Sequence, residues 1–140
     1  MRKQLLERFL RYVKIDTQSA EGQADVPSTE KQLDLARLLR QEMEAMGLKD
    51  VTLDSHGYVM GPLPANTPQA LPRIGFIAHM DTSPDASGQG VKPILWEDYD
   101  GGELTLSPGN VLSPADFPEL ARYKGCTLVT SDGTTLLGAD

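Results

Sequence analysis

Cysteine is almost missing: Cys126 stands alone in 140 residues. One thiol excludes an intrachain disulfide framework and suits a reducing compartment such as the cytoplasm. Positive charge is also scarce, with 13 Lys and Arg against 20 Asp and Glu and a formal net charge of −7. That balance argues against nucleic acid and anionic membrane surfaces as partners, because both attract basic patches. Long apolar runs are absent. The stretch Ile74-Gly75-Phe76-Ile77-Ala78 is far too short to cross a bilayer. The opening residues alternate charge with two leucines and hold no signal-peptide apolar segment. There is no internal repeat, heptad run or low-complexity tail. The length fits one domain with a real core. These absences point to an acidic, soluble, cytoplasmic protein.

What is present alternates between helical and strand signals. Leu5, Leu6, Phe9, Leu10 and Val13 recur at helical spacing and predict a helix over residues 3–14. A second helix carries the fuller signature. Thr29 is placed to cap it, Gln32 to complete a capping box, and Gly47 to stop it. Leu35, Leu38, Leu39, Met43 and Met46 supply its buried face. Residues 51–53 and 58–60 read as strands joined through Ser55-His56-Gly57. The nearly continuous apolar run of residues 73–78 predicts a central strand covered on both faces. Residues 81–91 read as loop, 103–106 as a short strand, 114–123 as a short helix capped by Ser113, and 126–130 as a strand. Asp132-Gly133 reads as a hairpin turn into a return strand at 135–137.

Two places have the residue types for metal chemistry. His79 and Asp81 stand where the predicted central strand meets a loop, the position at which open α/β sheets hold ligands. In extended backbone the two side chains share one side. The histidine can then ligate a metal through one ring nitrogen while the aspartate holds the other N–H. The same spacing also suits a strand-end histidine simply hydrogen-bonded to a turn aspartate. Asp140 is the second place: a strand-end carboxylate can bridge two divalent metals, or can be an ordinary terminal aspartate.

Other patterns fall away. Gly88-Gln89-Gly90 lacks the third glycine of a dinucleotide fingerprint. Asp98-Tyr99-Asp100-Gly101 has the wrong spacing for a calcium loop and reads as a solvated turn. No Gly-x-Ser-x-Gly elbow occurs. Cys126 reads as a buried strand residue and His56 as a turn residue.

The run Gly75-Phe76-Ile77-Ala78-His79-Met80-Asp81-Thr82-Ser83-Pro84-Asp85 resembles the first metal motif of the M20 zinc-peptidase family. Thr82-Ser83-Pro84-Asp85 is particular to the family's tripeptide aminopeptidases. The resemblance extends over essentially the whole chain. It includes Asp16-Thr17-Gln18-Ser19, Val26-Pro27-Ser28-Thr29-Glu30, Met46-Gly47-Leu48, Leu63-Pro64-Ala65-Asn66 and Val111-Leu112-Ser113-Pro114. Thr134-Thr135-Leu136-Leu137-Gly138-Ala139-Asp140 is similar to the run into the second metal motif.

The resemblance implies an α/β fold, a mixed sheet flanked by helices. Residues 1–140 would then be an incomplete N-terminal portion of the catalytic domain, without the smaller lid domain. It implies two zinc ions per complete site, with His79 a ligand to one and Asp140 bridging both. Asp81 would be the active-site carboxylate that orients His79. The implied reaction is release of the N-terminal residue from tripeptide substrates. The general-base glutamate and the remaining ligands of the family pattern do not occur in these 140 residues. The chain alone is therefore expected to bind zinc weakly, to be inactive, and to be poorly soluble or oligomeric. Two alternatives stay open: another M20-type two-zinc hydrolase, a dipeptidase or amino-acid deacylase, and a truncated, non-catalytic binding protein.

Overall fold

The computed structural model describes residues 2–138. In chain order the elements are helices α1 (Arg2–Tyr12) and α2 (Gln32–Ala45), then strands β1 (Thr52–Leu53), β2 (Val59–Met60), β3 (Ile94–Trp96), β4 (Leu104–Ser107) and β5 (Asn110–Leu112). A 3-10 helix (Pro118–Tyr123) and strand β6 (Leu128–Thr130) complete the series. The chain divides into two compact units: Thr17–Thr82, and the residues on either side of it.

In the Thr17–Thr82 unit, α2 packs against β1 and β2 and buries Leu35 and Ala36. Its far end closes as the glycine predicts. Gly47 takes a positive φ of 90°, its N–H bonds to Glu44 O, and the Leu48 N–H reaches back to Met43 O. Those two bonds satisfy terminal carbonyls in a Schellman arrangement. The start differs from the expected capping box. Lys31 occupies the cap position in helical conformation and makes no side-chain cap bond. Thr29 is diverted to a distant partner, its Oγ1 donating to Gln18 O at 2.8 Å. Arg37–Asp34 (2.8 Å) and Arg40–Glu44 (3.0 Å) pair on the exposed face, each worth about 0.3–0.5 kcal/mol.

The β1–β2 hairpin forms as expected, with Thr52 opposite Met60 and Leu53 opposite Val59. Its turn is organised by Asp54, whose Oδ1 accepts the His56 and Tyr58 N–H groups, both at 2.9 Å. Gly57 meets the positive φ the turn requires, 86°. His56 is a turn residue, as its sequence setting suggests.

The predicted central strand at 73–78 does not form. Phe76 is 97% exposed and Ile77 100%. A strand is stabilised by a paired neighbour and by cover over its faces. No segment among the described residues pairs with this one. Its apolar sequence therefore stays unpaired and exposed.

In the other unit α1 ends at Tyr12, short of the predicted residue 14, and Val13 just beyond it is buried. β3 and β6 pair antiparallel, Ile94 opposite Thr130 and Trp96 opposite Leu128. The Trp96 indole N–H donates to Thr130 Oγ1 at 3.0 Å across this pair. β4 and β5 make a hairpin with a register shift between Thr105 and Ser107. Pro108 and Gly109 turn it, Gly109 at φ 86°. Val13, Val91, Tyr99 and Leu104 are the buried apolar residues among the described residues of this unit.

Three expectations are corrected in this unit. The return strand at 135–137 is absent and β3 takes its place beside β6, which shows that the partner came from far away in sequence. The helix at 114–123 reduces to the 3-10 turn Pro118–Tyr123, because Ser113 O and Oγ are occupied by a tight turn through Phe117. Cys126 is exposed and precedes β6 rather than lying buried within it. The architecture among the described residues is thus helices with three separate two-stranded antiparallel sheets, not one mixed sheet. The only parallel pairing among them is the isolated bridge between Gln18 and Thr82.

Two measurements test this arrangement. Leu104 is 3% exposed, so Leu104→Ala is expected to cost about 2–5 kcal/mol in urea denaturation. Phe76→Ser should stay within about 0.5 kcal/mol; a large loss there would mean that residues 73–78 are buried after all. The second concerns Asp132. The Thr134 hydroxyl and N–H, and then Lys92 at 3.6 Å, hold its carboxyl below the ordinary 3.8. A depressed folded-state pKa adds stability above the unfolded value and loses it as pH falls through the folded one. Asp132→Asn should therefore be less stable than the parent chain at pH 7, and the gap should close below the ordinary carboxylate range.

Candidate functional site

His79 and Asp81 lie immediately after the exposed apolar run, and the structure brings them together. His79 Nδ1 stands 2.9 Å from the Asp81 carbonyl oxygen and 3.2 Å from its Oδ1. A carbonyl and an ionised carboxylate can only accept. Nδ1 must therefore carry the proton and donate to both. In the neutral ring this fixes the tautomer whose metal-ligating nitrogen is Nε2. The side chains are 60% and 43% exposed, so the pair sits at the surface.

What steadies this pair is the residue that follows it. Thr82 O accepts the Ser19 N–H at 2.9 Å, and the Thr82 N–H donates to Thr17 O at 3.2 Å. Ser19 Oγ donates a second bond to Thr82 O at 2.9 Å. Thr17 is itself buried. Thr82 Oγ1 is buried with no hydrogen-bond partner among the described residues. Leaving such a hydroxyl unsatisfied costs about 1–3 kcal/mol.

Sequence reasoning placed residues 16–19 in a loop and missed this contact. The available signal was the density of small hydroxyl residues, Thr17, Ser19, Ser28 and Thr29, around one loop. Such side chains favour bonds to backbone over helix interiors.

Asp140, the expected bridging carboxylate, lies outside the described residues. Among the described residues, no group of three or more His, Cys, Asp or Glu is placed to hold a metal. Catalytic zinc takes three protein ligands. The donor chemistry of His79, with its Nδ1 proton held by Asp81, fits one zinc ligand. The described residues do not complete a site.

The other motifs keep their bland roles. Asp98-Tyr99-Asp100-Gly101 is a turn in which Asp100 Oδ1 accepts the Gly102 N–H at 2.8 Å. Ser83 Oγ donates to Asp85 Oδ2 at 2.8 Å and accepts the Asp85 N–H, so the Ser-Pro-Asp stretch is locally self-bonded.

No protein-family profile matches the chain. Individual relatives do. The chain is 56% identical over its whole length to the peptidase T of Geobacillus thermodenitrificans, covering 34% of that protein. It is 62% identical over 97% of its length to the peptidase T of Desulfitobacterium hafniense, covering 33%. It is 53% identical over its whole length to that of Bacillus pumilus, covering 35%. The likeness is to part of peptidase T, for the chain spans about one third of the length of the curated relatives it matches.

Proposed function

We propose that this chain carries part of the active site of a two-zinc tripeptide aminopeptidase of the M20 family. In this reading residues 1–140 belong to an α/β catalytic domain whose other ligands and lid lie in further sequence. The observation that carries it is the His79–Asp81 pair. Its two bonds to Nδ1 give His79 the tautomer a zinc ligand needs, and its sequence setting resembles the first M20 metal motif. Asp140 is the proposed bridging ligand.

Bound zinc would lower the pKa of a shared water and polarise the scissile carbonyl. The chain's own residues hold and orient. His79 fixes the site's place at the end of the apolar run. Asp81 keeps the ring from rotating and keeps the proton on Nδ1. The substrates proposed are tripeptides, cleaved at the first peptide bond to release the N-terminal residue. Neither nucleic acid nor membrane is proposed as a partner. The net charge of −7 disfavours both, and no helix among the described residues is long and apolar enough to cross a membrane. A cytoplasmic setting agrees with the single cysteine.

The test uses the complete enzyme and a panel of tripeptides, dipeptides and N-acyl amino acids. Tripeptide release is expected to dominate, and His79→Ala to abolish it. Asp81→Ala should weaken zinc affinity about 10–100-fold, the range for groups that orient a ligand. Preference for dipeptides or acyl amino acids would instead indicate a dipeptidase or deacylase. The 140-residue chain itself should bind zinc weakly and release nothing. Tight stoichiometric zinc with turnover from that chain would sink the fragment reading.

A further inference from the structure

We propose that Ser19 and Thr29 are positioning residues for His79, acting through the backbone of Thr82. The inference rests on the preceding reading of His79 as a metal ligand. The connection is a series of hydrogen bonds within the Thr17–Thr82 unit. At the N-terminal end of α2, Gln32 Nε2 donates to Thr29 Oγ1 at 3.1 Å and to Ser28 Oγ at 3.2 Å. Thr29 Oγ1 in turn donates a hydrogen bond to Gln18 O at 2.8 Å. Ser28 Oγ accepts the Ala20 N–H at 3.1 Å. Residues 18–20 are thereby tied to the helix on both sides of Ser19.

Ser19 then holds Thr82 O with two donors, its N–H and its hydroxyl, both at 2.9 Å. Thr82 is peptide-bonded to Asp81, whose carbonyl is the nearer acceptor of the His79 proton. The orientation of that carbonyl depends on the peptide plane shared with Thr82 N, and Thr82 N–H is fixed on Thr17 O. Rotating this plane would swing the Asp81 oxygen away from Nδ1. The pair is partly exposed in its side chains but anchored in its backbone by a loop more than sixty residues earlier in sequence. Deleting the Ser19 hydroxyl removes one of two bonds to Thr82 O, which lies in the following peptide plane; the loss reaches the Asp81–Thr82 plane through the Thr82 Cα and removes no group that touches the ring.

The experiment is NMR on the selectively isotope-labelled, metal-free complete enzyme, at a pH where the His79 ring is neutral. Two quantities are read: amide exchange at Thr82, and the fraction of His79 with its proton on Nδ1. Ser19→Ala is expected to speed Thr82 exchange about tenfold and to lower the Nδ1–H fraction, with Ser19→Thr restoring both. Thr29→Val should move both in the same direction, and it carries the test if Ser19→Ala loses the fold. Faster Thr82 exchange with an unchanged His79 tautomer in both variants would overturn the proposal. A plain structural role would give that pattern. Failure of the metal reading looks different: in the complete enzyme, His79→Ala would leave zinc affinity unchanged.

Discussion

The Thr17–Thr82 unit turns on a few backbone bonds between residues 17–19 and Thr82. This is the single place where strand-like pairing joins the beginning of the unit to its end. The α2 helix and the β1–β2 hairpin lie between these ends and pack on each other. The His79–Asp81 pair, by contrast, has no secondary structure of its own. It follows a solvated apolar run and takes its backbone order from the residue after it. The surface position also explains why geometry, not burial, is the notable property of the pair. A half-exposed carboxylate beside a half-exposed imidazole gains little from charge alone, because water screens it. The directional bond to the carbonyl is what selects one tautomer.

Several elements could be read from sequence because their causes are local. The β1–β2 hairpin needs only an aspartate that collects two N–H groups and a glycine at positive φ, and both stand within the turn. The end of α2 is legible for the same reason, since Gly47 supplies the left-handed residue. The start of α2 was not, because the Thr29 hydroxyl could satisfy either the helix or a distant carbonyl, and it is the distant one that wins. β3 escaped notice because its partner β6 is paired across more than thirty residues, and no local pattern names a partner. Residues 73–78 show the reverse failure. A continuous apolar run records a preference for cover, but the cover must come from other segments.

The candidate site divides along the same line. His79 and Asp81, two residues apart, were legible as a pair, and the structure places them in hydrogen-bond contact. The loop that steadies them was invisible as a partner, although its residues belong to the resemblance that covers the chain. Spacing can indicate which side chains meet across one turn of backbone. It cannot indicate which carbonyl, 63 positions away, a serine hydroxyl will find.

That separation sets an order of events in folding. The His79–Asp81 contact closes a loop of almost no length and can form and break freely in the unfolded chain. The Ser19–Thr82 contact closes one of 63 positions, with a length-dependent entropy cost of about 4 kcal/mol. Nucleation in this unit therefore belongs to the helix and the hairpin, whose contacts are close in sequence, and the bridge forms on a chain they have already shortened. The same logarithm makes the exposed stretch between β2 and His79 a tolerant place for inserted residues. Doubling the closed loop adds only about 0.6 kcal/mol, so evolution can lengthen this approach to the site without releasing its anchor.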